Sequence, residues 1–146
     1  TIPRLLDMGI EPFLLASTLE IIIAQRLVRR ICDKCKSSFE VPVSELKKVH
    51  ECIDSFFTDE STVTLYRGKG CSVCNKTGYG GRVAINEFIE VTAEMQELIT
   101  KNPSSKAIWE LASAQGAKSL FEDGLLKVRA GVTTLEELFR VAPPTR

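Results

Sequence analysis

Two short cysteine pairs constrain this chain more than any other feature in it. Cys32-Asp33-Lys34-Cys35 and Cys71-Ser72-Val73-Cys74 are both C-x2-C motifs, and 35 residues separate them. Two intervening residues let both sulfurs of a pair turn to one point. Two such knuckles supply four thiolates, the tetrahedral set that Zn²⁺ takes at a Zn–S distance of about 2.3 Å. The gap exceeds the roughly 15–20 residues of a compact zinc ribbon, so the metal would close a long arm. No fifth polar ligand or open coordination position is suggested, and the expected role is therefore structural. Buried free thiols or disulfides are the alternatives. A thioredoxin-type redox pair needs only one motif in a βαβ setting, which neither pair has.

The balance of charge narrows the partners. Nineteen basic residues meet nineteen acidic ones, so no global field argues for nucleic acid or an anionic membrane. Apolar runs such as Ile21 to Ala24 are far too short to span a bilayer. Thr1-Ile2-Pro3-Arg4 lacks the apolar core and cleavage site of an export signal. Paired C-x2-C motifs without that signal fit a reducing, cytoplasmic setting. A chain that opens on Thr instead of Met is expected to be a fragment of something longer.

Along the chain, Thr1 can cap a first helix with Pro3 in its first turn, and Gly9 can stop it. Glu11-Pro12 restarts a helical turn through Phe13, Leu14 and Leu15. Gln25 to Ile31 reads as a strand, because its apolar positions do not keep helical spacing. Gly81 to Val91, with Val83, Ile85, Ile89 and Val91 on one face, reads as its antiparallel partner. The arm from Cys32 to Thr77 sits between them. Within it, Ser44 can cap a helix carrying Leu46, Val49, Ile53 and Phe57 as one stripe, and Thr62 to Tyr66 reads as a short strand. So small an arm seldom holds a core of its own, and bound metal would supply the missing stabilisation. Losing a ligand should then loosen the arm far more than the strands and helices outside it.

Beyond Val91 the pattern is helical. Thr92 caps Ala93 to Lys101, Asn102-Pro103 stops it, and Ser104 or Ser105 opens a helix that ends at Gly116. Ser119 with Glu122 and Thr134 with Glu137 form capping boxes for two more helices. The fold class is α+β: an antiparallel strand pair carrying a zinc-binding insertion, followed by a small C-terminal helical bundle.

Other motifs carry less chemistry. Arg67-Gly68-Lys69-Gly70 is not a P-loop: Val63 stands where the first glycine belongs, and Gly70 replaces the Mg²⁺-binding hydroxyl. Gly78-Tyr79-Gly80-Gly81 does not fit G-x-G-x-x-G. His50 and Cys52 read as a surface histidine and a buried thiol, because four thiolates already complete the metal set. No nucleophilic triad survives with one histidine. Arg26, Arg29, Arg30, Lys34 and Lys36 are a basic cluster without the aromatic platforms of nucleic-acid binders. Trp109 reads as core.

Several stretches together resemble one family. They are Asp7-Met8-Gly9-Ile10-Glu11-Pro12-Phe13-Leu14, then Gln25-Arg26-Leu27-Val28-Arg29-Arg30-Ile31-Cys32, and Gly70-Cys71-x-x-Cys74-x-x-Thr77-Gly78-Tyr79-x-Gly81-Arg82. Ser119 to Leu125 and Gly131 to Val141 agree as well. The combination resembles the C-terminal part of the secretion-superfamily ATPases that drive type II secretion and type IV pilus assembly.

That resemblance implies the C-terminal portion of a RecA-like domain in a homohexameric cytoplasmic motor, peripheral to the bacterial inner membrane and acting on a platform protein there. It implies ATP and Mg²⁺ in the parent protein, bound mainly outside this stretch, since Walker A, the acidic boxes, Walker B and the histidine box precede it. No catalytic or nucleotide-binding residue is therefore assigned here, and Zn²⁺ on Cys32, Cys35, Cys71 and Cys74 is the expected cofactor. The implied parts are residues 1–31, the end of the ATPase domain; 32–77, the metal arm; and 78–146, a strand and helical subdomain. Arg26 and Arg82 are the charged residues to inspect near nucleotide or subunit interfaces, with strand-edge charge as the plainer reading. The runner-up is a free-standing zinc-ribbon module for nucleic acid or protein. Binding to nucleic acid that weakens steeply with salt would favour it. A chaperone-like cysteine-rich module needs several repeats, and one complete copy is present.

Overall fold

The computed structural model describes residues 2–49, 57 and 61–144. In order, the elements are α1 (Ile2–Asp7), α2 (Pro12–Thr18), β1 (Ile21–Ile31), β2 (Lys36–Pro42), α3 (Val43–Val49), β3 (Thr62–Gly68), β4 (Tyr79–Glu90), α4 (Ala93–Thr100), α5 (Ser105–Ala114), α6 (Leu120–Arg129) and α7 (Leu135–Val141). The fold is mixed α and β with antiparallel strand pairs, as the sequence pattern indicates.

Strand β1 pairs with β4, and the segment between them carries a second pair, β2 with β3. β1 already begins at Ile21, before the Gln25 start that the pattern suggests. Three successive β-branched residues favour extended backbone there. β2 is not legible as a strand from the pattern. Lys36-Ser37-Ser38-Phe39-Glu40 has weak strand propensity of its own and is extended through antiparallel pairing with β3, in a register that sets Lys36 opposite Gly68 and Phe39 opposite Leu65. Helix α3 starts at Val43, which puts Ser44 inside its first turn and not at its cap. Of the stripe assigned to that helix, Phe57 is buried and Leu46 half-buried. The Val49 side chain and Ile53 lie outside the described residues, as does the Thr1 cap.

Two compact units divide the chain. The first is Thr1–Gln25 with Asn86–Ser119. Its core gathers Ile2, Leu15, Ile89, Met95, Ile99 and Ile108, with Trp109 half-buried against them. Side-chain caps set its helices: the Thr92 hydroxyl accepts the Met95 N–H of α4, and Ser104 accepts the Ala107 N–H of α5. Asn102, at φ 53, ends α4 where Asn102-Pro103 predicts a stop.

The second unit is Arg26–Ile85 with Leu120–Arg146. Val28, Val63, Leu65, Ile85, Phe121, Leu125 and Leu138 form its core. The Phe121 and Phe139 rings meet at 5.3 Å, tilted by 56°. The helical C-terminal part therefore divides: α4 and α5 serve the first core, α6 and α7 the second. This changes one expectation. The arm does not rely on metal alone for its core, because Phe121 and Leu125 of α6 and Leu138 of α7 share one apolar core with Val63 and Leu65 of β3. Loss of a metal ligand should accordingly be felt in α6 and α7 as well as in the arm.

Candidate metal centre

The sulfurs of Cys32, Cys35, Cys71 and Cys74 all lie within 4.8 Å of one another. Backbone turns aim them. In the first knuckle the Cys35 N–H donates to the Cys32 carbonyl at 3.2 Å. In the second, the Lys76 N–H donates to the Cys71 carbonyl at 2.8 Å and the Thr77 N–H to the Cys74 carbonyl at 3.1 Å. Asn75 and Lys76 take left-handed backbone, with φ of 50° and 61°, to close this tight loop. The two knuckles are tied directly: the Lys69 N–H donates to the Cys35 carbonyl at 3.0 Å, and the Cys32 N–H to the Gly78 carbonyl at 3.0 Å.

The sulfur spacing discriminates among the readings left open by the sequence. Cys32 to Cys71 is 3.9 Å, Cys35 to Cys74 is 3.8 Å and Cys71 to Cys74 is 3.7 Å. A disulfide needs about 2.05 Å, so none of these pairs is bonded. A tetrahedron with Zn–S of about 2.3 Å has edges of about 3.8 Å, which these three separations match, and the other three stay within 4.8 Å.

The local field favours a thiolate at Cys74 and opposes one at Cys35. The Cys74 sulfur accepts N–H bonds from Cys71 at 3.2 Å and from Gly78 at 3.3 Å. These hold its pKa down to about 6, the Cys71 bond first among the causes. Burial pushes the Cys35 thiol up to about 12, with the neighbouring sulfurs adding to the rise. A cluster of thiols cannot ionise together without a cation among them, because like charges this close repel. Cys32 and Cys74 are buried and Cys35 and Cys71 half-buried, which fits a closed site with limited access for water.

Gly68 and Gly78 let β3 and the second knuckle meet. A Cβ on Gly68 would stand 2.0 Å from the Gly78 carbonyl oxygen, a backbone atom that cannot swing away. Gly78 also has φ of 78°, where an L side chain is strained. Gly68→Ala should therefore destabilise the second unit by about 1–3 kcal/mol or more and weaken metal retention. Denaturant titration and a competing chelator would measure both, and unchanged retention would count against the close approach.

A second polar cluster has no signature in the sequence. Glu137 is 1% exposed. Its carboxylate accepts the backbone N–H of Arg29 at 3.0 Å and the Arg29 Nε and Nη2 at 3.0 and 2.8 Å. Arg140 adds Nε at 2.9 Å and Nη2 at 2.6 Å. The Arg29 guanidinium also lies 4.0 Å from the Tyr79 ring centre, and the Tyr79 hydroxyl is 2.8 Å from the Thr134 hydroxyl. Thr134 does cap α7, accepting the Glu137 N–H, but the Glu137 side chain goes to the two arginines. The capping-box signal is right for Thr134 and silent about a partner 108 residues away.

Arg26 is exposed on β1, and Arg82 is exposed beside an open cleft lined by Arg29, Thr77, Tyr79 and Gly81. His50 and Cys52 lie outside the described residues.

A family model described as "Type II/IV secretion system protein" matches residues 1–140. The chain belongs to that family. Its members include "Type II secretion system ATPase E" of Vibrio cholerae, 42% identical over 96% of this chain and 26% of that protein. "Type IV pilus assembly ATPase PilB" of Pseudomonas aeruginosa is 43% identical over 97% of this chain and 24% of its own length. The protein of the same name from Thermus thermophilus is 41% identical over 94% of this chain and 15% of its own. The chain thus spans about a quarter or less of the length of these relatives. The family match spans nearly the whole sequence, as the resemblance implies. Among the described residues, no helix is long and apolar enough to cross a membrane.

Proposed function

We propose that this chain is the C-terminal, zinc-stabilised part of a hexameric ATPase that powers type II protein secretion or type IV pilus assembly. The observation that carries the metal half is the convergence of four sulfurs at separations fitting one tetrahedral ion. Cys32, Cys35, Cys71 and Cys74 would hold Zn²⁺, which supplies a charge that keeps four thiolates together and cross-links two knuckles. The family match and the ATPase relatives support the motor half. In this reading ATP and Mg²⁺ bind mainly on the preceding part of the parent protein, because no Walker A motif occurs in this stretch. The parent works in the cytoplasm against the inner membrane and acts on a platform protein there, without nucleic acid. Within the parent, residues 1–31 close the ATPase domain, 32–77 form the metal arm and 78–146 complete the structure.

Elemental analysis should find about one zinc per chain, released as acid protonates the thiolates. The isolated chain should not hydrolyse ATP, whereas a protein extended upstream through a Walker A should. Metal-free protein with four freely reactive thiols would reject the zinc assignment. Turnover by the isolated chain would reject the division of labour.

A further inference from the structure

The chain is neutral overall, but its charge is segregated. Residues 26–36 and 66–82 hold nine Lys and Arg residues and one acidic residue, Asp33. The remainder is acidic by the same margin, because the total is balanced. The sulfur cluster and the pairing of Lys36 opposite Gly68 bring both basic segments together in the second unit. Lys34, Lys69 and Lys76 are exposed there and have no acidic partner among the described residues. A zinc tetrathiolate is itself dianionic, and the basic excess around it is larger than that. At the tip of the second knuckle Val73 is 71% exposed, the most exposed large apolar side chain described.

The first unit carries the complement. A cleft of about 590 Å³ is lined by Glu20, Ile21, Phe88 and Glu90 among others. Ile21 and Phe88 are 50% and 51% exposed, so the cleft offers apolar surface to solvent. Neither Glu20 nor Glu90 pairs with a cation among the described residues, and the stretch from Val83 to Thr100 contains four glutamates and no basic residue. Apolar surface between free carboxylates is the inverse of an apolar tip between free lysines.

We propose that the second knuckle of one copy seats in the Glu20–Glu90 cleft of a neighbouring copy. Val73 meets Ile21 and Phe88, and Lys69 and Lys76 face the two carboxylates. Knuckle and cleft are different surfaces, so the contact is head-to-tail and can repeat around a ring. This rests on the homo-oligomeric reading above and adds which surfaces meet. An anionic lipid surface would use the lysines but leave the acidic, apolar cleft without an occupant.

Charge reversal with exchange tests it. One variant carries Lys69→Glu and Lys76→Glu; the other carries Glu20→Lys and Glu90→Lys. Sedimentation velocity of the zinc-loaded chain should show self-association that weakens with salt. Each variant alone should associate roughly tenfold or more weakly, as expected for close interfacial charge pairs. Mixing the two should restore association, because each reversed knuckle then finds an oppositely charged cleft. Should a reversed variant lose its zinc, Lys69→Gln with Lys76→Gln replaces it and must weaken association in the same direction. A wild-type chain that stays monomeric at low salt, or a mixture that does not associate, overturns the proposal. So does binding of wild type to phosphatidylglycerol-containing vesicles that only the lysine variant loses, without self-association. None of these failures touches zinc content or ATP turnover in the extended protein, so the functional reading would stand apart from them.

Discussion

Cys71→Ser should empty the metal site and unfold the second unit, the largest single effect expected of any substitution in this chain. Structural zinc contributes roughly 10–16 kcal/mol of apparent binding energy at neutral pH, against a total stability of only about 5–15 kcal/mol for a domain. Serine offers a poor zinc ligand at neutral pH, and three remaining thiols lose the closed tetrahedral set. Because α6 and α7 share the core of β2 and β3, protection should fall across Arg26–Ile85 and Leu120–Arg146 together. Amide hydrogen exchange on the wild type and on the variant, each with zinc supplied, reads this out. The first unit, with its own core around Met95 and Ile99, should keep its slow amides. A variant whose slow-exchange pattern matched the wild type would show that the four sulfurs do not carry the unit.

Glu137→Gln is expected to follow, at about 3 kcal/mol. Removing one partner of a buried ionic cluster costs about 3–5 kcal/mol. The lower end applies because the Arg29 and Arg140 side chains are 46% and 60% exposed and can turn to water. The pH dependence has a definite sign. Arg140 above all, then Arg29, holds the Glu137 carboxyl down to about 2 from an ordinary value near 4.5. A depressed carboxyl stabilises the fold above its unfolded pKa, and that contribution disappears as pH falls from about 4.5 towards 2. The shift corresponds to roughly 3 kcal/mol. Denaturant midpoints of wild type and Glu137→Gln should therefore differ fully at pH 7 and converge below pH 3. Acid also strips zinc from both proteins, so the difference between them is the quantity that isolates Glu137. A gap that stays constant down to pH 2 would mean the carboxylate is not the source.

How much of the fold can be read from the chain depends on how local each signal is. The C-x2-C knuckles are four-residue patterns, and a sulfur's chemistry does not depend on distant context, so the cluster is legible from the residues alone. Thr92, Ser104, Gly9 and Gly116 are equally local, and the helix ends they mark are where the pattern places them. β2 is not legible, because Ser37 and Ser38 become strand only by meeting Arg67 and Tyr66. The Glu137 cluster is hidden for the same reason: its partner Arg29 is 108 residues away. Nor can spacing alone tell which core each C-terminal helix joins, since Leu125 and Ile108 present similar apolar stripes to different partners.

The core of the second unit draws on residues from Val28 to Leu138 and Ala142. During synthesis all four cysteines have left the ribosome well before the last apolar contributors exist. A newborn chain must therefore wait with the inner face of β2 and β3 incompletely covered until α6 and then α7 arrive. Early capture of an ion would keep the two knuckles clasped through that interval, guarding a sticky hairpin against neighbouring chains.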